Sequence, residues 1–122
     1  MKKVLIIEDD TFLQSLAAKK LSASGYQVFS AGTAEEASKL IETNIPDIVL
    51  LDLVFPGAGD GFGILKKIRE NIKMTKTPVV IFSNLSEEKD VIKAKNLGAT
   101  DYMVKANFTL DELIDKVKSL IG

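Results

Sequence analysis

Apolar positions along the chain fall into two alternating patterns. Val4-Leu5-Ile6-Ile7, Ile48 to Leu51 and Val79 to Phe82 are short runs in which every residue is apolar. Between them lie longer stretches in which apolar residues recur every three or four positions. The runs predict strands covered on both faces, and the spaced stretches predict amphipathic helices. Leu13, Leu16, Ala17 and Leu21 mark a first helix stopped by Gly25, and Gln27 to Ala31 is a weaker second strand. Thr33 with Glu36 makes a capping-box pattern ahead of Ala34, Ala37 and Ile41, and Pro46 breaks that helix. After a loop holding Pro56, Gly57, Gly59, Gly61 and Gly63, the residues Ile64, Leu65, Ile68 and Ile72 mark a third helix. Pro78 breaks again. Ser86 is expected to open a fourth helix carrying Val91, Ala94 and Leu97 and closed by Gly98. Tyr102 to Val104 is a fifth strand. Thr109 with Glu112 makes a second capping box, ahead of Leu110, Leu113, Ile114 and Val117.

Strand and helix alternate without a linker or a low-complexity tract. That predicts one α/β domain over residues 1–122, a doubly wound parallel sheet with helices on both faces. In such sheets a ligand site lies beyond the carboxyl ends of the strands. Strand one runs into Glu8-Asp9-Asp10, strand three into Asp52, strand four into Ser83 and strand five into Lys105. Each residue alone reads as a cap, a turn or a solvated strand end. Four strands placing compatible groups on one rim is a constellation. If strands one and three are neighbours, Glu8, Asp9 and Asp52 converge. Each like-charge pair at ~4 Å then costs about 4 kcal/mol at an effective dielectric of 20. Several such pairs rival the whole stability of a domain, roughly 5–15 kcal/mol. Lys105 offsets one charge, and a divalent cation offsets two. Mg²⁺ suits oxygen ligands of this kind.

Composition narrows the chemistry. The chain has no cysteine and no histidine, so thiolate or imidazole metal sites and Ser-His-Asp triads are excluded. A net charge of -1 gives no bulk attraction to nucleic acid or to an acidic membrane. No apolar run approaches the ~18 residues of a membrane span, and the four apolar residues after Lys2 and Lys3 are too few for a signal peptide. A cytoplasmic protein is expected. Asp52 is the best nucleophile candidate, because a carboxylate can accept a phosphoryl group. That transfer needs mainly positioning and charge neutralisation, which a cation and Lys105 would supply. The glycine loop matches no nucleotide-binding fingerprint: Phe62 stands where the third glycine would be needed.

Four segments, VLIIEDD, DIVLLDLVFPGAGDGFGIL, TPVVIFS and GATDYMVK, resemble the signatures of response-regulator receiver domains, and the resemblance extends over the whole chain. It implies a flavodoxin-like strand order 2-1-3-4-5. It implies that Asp52 receives a phosphoryl group from a phosphohistidine on a sensor histidine kinase or phosphotransfer protein. Glu8 and Asp9 would hold Mg²⁺, Asp9 directly and Glu8 through water, with Asp52 and the Val54 carbonyl completing the protein ligands. Lys105 would contact phosphoryl oxygens, Ser83 would swing to them, and Tyr102 would follow inward. The face of the fourth helix, fifth strand and last helix would then engage a downstream effector protein. No direct nucleic-acid or membrane partner is expected, and the chain would be a monomer or weak dimer, either stand-alone or part of a longer regulator.

Three departures from the pattern stand out. The loop between Pro56 and Asp60 is one residue longer than the usual form. Ala106 replaces the proline that usually follows the lysine, so Lys105–Ala106 is trans unless its surroundings enforce the ~3–4 kcal/mol cost of a cis bond. Val54 and Leu85 are apolar where polar side chains often help water attack, which predicts slow self-dephosphorylation. Three other readings remain open. A small phosphohydrolase would want a second acid at the Val54 position. A flavin protein would want a hydroxyl-rich loop in place of Glu8-Asp9-Asp10. The third is an interaction module that is never phosphorylated.

Overall fold

The computed structural model describes residues 1–55 and 60–122. Five parallel strands form one sheet in the order β2-β1-β3-β4-β5. They are β1 (Lys3–Ile7), β2 (Gln27–Ala31), β3 (Ile48–Leu51), β4 (Val79–Ser83) and β5 (Asp101–Val104). The helices between and after them are α1 (Thr11–Ala23), α2 (Ala34–Thr43), α3 (Gly61–Glu70), α4 (Glu88–Asn96) and α5 (Leu110–Ile121). No helix among the described residues is long and apolar enough to cross a membrane.

Alternate strand residues feed two cores. Leu5, Ile7, Val49, Leu51 and Ile81 pack against Ala37, Ile41, Leu65, Ile68 and Ala94 of α2, α3 and α4. Their neighbours Val4, Ile6, Ile48, Leu50 and Val80 pack against Ala17, Leu21, Leu113, Ile114 and Val117 of α1 and α5. This two-sided burial is why the central strands are apolar throughout except at their ends, Lys3 of β1 and Ser83 of β4.

Register decides what meets at the rim. Ile7 lies opposite Leu51, and the ladder runs one step further: the Asp52 N–H donates to the Ile7 carbonyl at 3.0 Å, and the Glu8 N–H to the Ala31 carbonyl at 2.9 Å. Ser83 lies opposite Val104, one residue before Lys105. The chain reverses its direction of travel across the sheet between β1 and β3, and that switch point is where Glu8 and Asp52 emerge.

The helices correct several expectations. Ile72 is not on α3; it lies in a 3-10 turn, Ile72–Met74, and is 85% exposed. Asn71 takes extended backbone angles, and its side chain accepts from the Lys73 N–H, which turns the chain away. Gly61 and Gly63 are not loop residues but the first turn of α3, capped by Asp60, which accepts from the Gly63 N–H at 3.0 Å. Ser86 does not open α4: that helix begins at Glu88, with Glu87 at the cap position and no side-chain cap bond. Leu16 stays partly exposed on α1. The full capping box is made at Thr109 and Glu112, whereas Thr33 accepts from the Glu36 N–H without the reciprocal backbone bond. Lys105 begins a 3-10 turn directly after β5. No peptide bond among the described residues is cis, so Lys105–Ala106 is trans. The expected extra loop residue falls within 56–59, outside the described residues.

Candidate functional site

The acidic turn after β1 is built from its own backbone. Asp10 caps α1, its Oδ1 accepting from the Phe12 and Leu13 N–H groups at 3.1 Å. The Asp10 N–H in turn donates to Glu8 Oε2 at 3.2 Å. Gln14, one turn into α1, donates from Nε2 to the Glu8 carbonyl at 2.9 Å. The turn therefore presents Glu8 inward, buried, and leaves Asp9 exposed at the mouth. Asp52 is buried beside it, with Oδ1 accepting from the Val54 N–H at 3.1 Å.

Lys105 bridges the two buried acids. Its Nζ lies 2.6 Å from Glu8 Oε1 and 2.8 Å from Asp52 Oδ2. Carboxylate oxygens of Glu8, Asp9 and Asp52 all lie within 4.8 Å of one another. The chain thus gathers three acids around one lysine.

The electrostatics divide the pair. Burial pushes the Glu8 carboxyl up to about 7 from its ordinary 4.5, the nearby Asp52 charge adding to the rise and Lys105 opposing it. Burial also disfavours the Asp52 anion, yet the Lys105 hydrogen bond, the Val54 N–H and the Ser83 hydroxyl outweigh it and hold that carboxyl below its ordinary value. Asp52 is therefore the acid of the pair whose ionised form is favoured. Desolvation works against the Lys105 ammonium, but its bonds and charge contacts with the two acids hold its pKa above the usual lysine value.

Ser83 is fully buried at the end of β4, and its Oγ accepts from the Leu85 N–H at 3.3 Å. Tyr102, on β5, donates its hydroxyl to the Leu85 carbonyl at 2.6 Å. Burial, with the Asp90 and Asp52 charges, pushes the Tyr102 phenol up to about 12, so it remains a donor at neutral pH. Leu85 is gripped through both of its peptide groups, one by each expected switch residue. The Val54 side chain is exposed, and its N–H holds Asp52. The structure thus brings Glu8, Asp9, Asp52 and Lys105 together and ties Ser83 and Tyr102 to a common neighbour. Sequence reasoning missed Gln14 and the Leu85 backbone. Neither carries a motif; only a position six residues after Glu8, one turn into a helix, hinted at Gln14.

The donor set fits a hard divalent cation. Three carboxylates and one ammonium carry a formal charge of -2 when all are ionised, and all the candidate ligand atoms are oxygens.

The sequence profile of the response regulator receiver domain matches residues 4–118. The chain belongs to this family. The receiver domain of Francisella response regulator 1452 superposes with a TM-score of 0.87 at 33% identity, covering 99% of this chain and 97% of that one. Among curated relatives, the transcriptional regulatory protein KdpE of Staphylococcus aureus is 37% identical over 95% of this chain and 48% of its own length. The alkaline phosphatase synthesis transcriptional regulatory protein PhoP of Bacillus subtilis is 35% identical over 98% of this chain and 48% of its own. This receiver domain therefore spans about half the length of the curated relatives it matches. Both are named transcriptional regulators, so the expectation of no nucleic-acid partner finds no support in the family. The strand order read from the resemblance is the order observed.

Proposed function

We propose that residues 1–122 form a single receiver unit that accepts a phosphoryl group on Asp52 from a phosphohistidine of a histidine kinase or phosphotransfer protein. The observation that carries this reading is the convergence of Asp52, Glu8 and Asp9 around Lys105. In the transfer, an Asp52 carboxylate oxygen forms the new P–O bond, the P–N bond breaks, and the donor imidazole leaves with the bonding pair. The Lys105 ammonium, already 2.8 Å from Asp52 Oδ2, moves onto a phosphoryl oxygen as the carboxylate charge is consumed. Glu8, Asp9, Asp52 and the Val54 carbonyl would hold Mg²⁺. Bound there, the ion supplies neutralisation of the charge that the phosphoryl oxygens bring.

The switch follows from Leu85. Ser83 Oγ now accepts from the Leu85 N–H; turning to donate to the phosphoryl group, it gives up that bond. The β4–α4 loop shifts, and Tyr102, bonded to the Leu85 carbonyl, moves with it. Phosphorylation biases the face of α4, β5 and α5 toward an effector-binding state by the differential contacts it creates. With Val54 and Leu85 apolar, little at the rim orients an attacking water, and self-dephosphorylation is slow, over many minutes.

The test is incubation with acetyl phosphate and Mg²⁺ followed by intact mass. One adduct of about 80 Da, a single phosphoryl group, is expected in the wild type and none in Asp52→Asn. An adduct that persists in Asp52→Asn removes the assignment. No adduct in the wild type favours an interaction module that is never phosphorylated.

A further inference from the structure

The start of α3 touches the backbone of the phosphoacceptor strand directly. Gly61, the first residue of α3, is buried, and its N–H donates to the Leu53 carbonyl at 3.1 Å. A Cβ at this position would stand 2.4 Å from the Asp52 carbonyl oxygen, 2.4 Å from Leu53 Cα and 3.1 Å from the Asp52 carbonyl carbon. All three are backbone atoms, so no flexible side chain is there to yield. Gly63, two residues later in the same turn, is different: among the described residues a Cβ there would meet only Asp60 Oδ1, at 3.8 Å.

We propose that Gly61 is a positioning residue for Asp52: its missing side chain lets α3 clamp the Asp52–Leu53 peptide and so aims the carboxylate at the rim. On one side, Asp52 is held by its N–H to the Ile7 carbonyl. Its carboxylate is held by the Val54 N–H and by Lys105. Gly61 closes the other side. Because Gly61 also bonds the Leu53 carbonyl, a retreat of α3 drags the Leu53–Val54 turn with it, and the Val54 N–H is what fixes Asp52 Oδ1. Phe62, buried next to Gly61 with Lys93 Nζ 4.3 Å from its ring centroid, keeps the turn in place. A methyl group at Gly61 needs roughly 1 Å of separation to reach ordinary contact distance. A displacement of that size in a reacting group costs up to about 100-fold in rate.

This inference rests on Asp52 as phosphoacceptor, and the experiment separates the two. Wild type, Gly61→Ala, Gly63→Ala and Ile68→Val are compared for acetyl-phosphate labelling rate at saturating Mg²⁺, for melting temperature, and for the Val54 amide resonance in the metal-free protein. Ile68 is buried in the same helix and loosens α3 without touching Asp52. Gly61→Ala is expected to label at least tenfold more slowly and to shift the Val54 amide. Gly63→Ala and Ile68→Val should keep the wild-type rate and resonance. Wild-type labelling in Gly61→Ala, or rates in all variants that merely follow their melting temperatures, would overturn the proposal. An unlabelled wild type instead overturns the Asp52 assignment, and the amide resonance still decides the clamp. Should Gly61→Ala not fold, the wild type decides alone. A strong nuclear Overhauser contact between the Gly61 and Leu53 α-protons supports the clamp, and its absence overturns it.

Discussion

The two ends of the sheet treat charge in opposite ways. At the amino end, Arg69 of α3 reaches under the strands and donates to the Gly98 carbonyl at 2.9 Å, the Met74 carbonyl at 3.0 Å and the Thr77 carbonyl at 2.7 Å. Gly98 is suited to this contact: its φ of +105° disfavours other residues, and a Cβ there would press on the Arg69 side chain at 2.9 Å. One cation meets neutral acceptors from two loops. At the carboxyl end three acids lie close together and two of them, Glu8 and Asp52, share one ammonium. The first arrangement stabilises the fold. The second stores unfavourable electrostatics of the kind a bound divalent cation would relieve. Stability sits at one end and poised chemistry at the other.

The sharpest way to break that contrast is to mutate both ends. Arg69→Ala leaves three carbonyls without their charged donor. Hydrogen bonds to charged groups contribute ~1.5–3 kcal/mol each but do not add, so a loss of about 3 kcal/mol in urea unfolding is expected. A loss under about 1 kcal/mol would remove the amino-end account. Arg69→Lys should recover only a minor part, since a point charge cannot fork to three acceptors.

At the other end the sign reverses. Glu8→Gln should stabilise the metal-free protein at pH 8 by about 1–3 kcal/mol while lowering Mg²⁺ affinity. Glu8 is an acid whose folded pKa, about 7, is raised above the ordinary 4.5. The native state then binds more protons than the unfolded state between these values, and stability falls as pH rises through that window. The advantage of Glu8→Gln should be full above pH 7 and vanish below about pH 4.5. A destabilised Glu8→Gln at pH 8 would contradict the stored-repulsion account.

The same proton competes with the cation. Mg²⁺ titration of the wild type should show affinity falling by up to about tenfold per pH unit below pH 7, with a flat profile above it. The smallest effect belongs to a pair that lies at neither extreme. Asp101 and Lys116 meet at 2.6 Å on a half-exposed surface. Burial opposes the Asp101 anion, but the Lys116 and Tyr102 N–H bonds prevail and lower its pKa. The contribution is present above the ordinary carboxylate pKa and lost as pH falls through the depressed value. Asp101→Asn should cost less than about 1 kcal/mol at pH 7, read by thermal melting.

What could be read from the sequence follows the same contrast. The buried strands were legible because burial on both faces admits only apolar residues, and the strand-end acids because they interrupt such runs. Ile72 misled because it continues the spacing of Ile68, while Asn71 had already turned the chain. Gly61 and Gly63 read as loop because glycine is a poor helix former; close approach to Asp52 and Leu53, which only the fold reveals, outweighs that propensity at Gly61. Ser86 has the chemistry of a cap, but α4 begins two residues later without one. The Leu85 clamp and the Arg69 fork lay out of reach, since backbone carbonyls carry no signature in a sequence.

The most direct test of the acidic cup is to locate the phosphoryl group. After treatment with acetyl phosphate, borohydride reduction converts an aspartyl phosphate to homoserine, which peptide mass mapping places to the residue. The account predicts conversion at Asp52 alone, dependent on Mg²⁺ and lost in Lys105→Ala. Conversion at Asp9 or Asp10, or at Asp52 without any need for Mg²⁺, would contradict it.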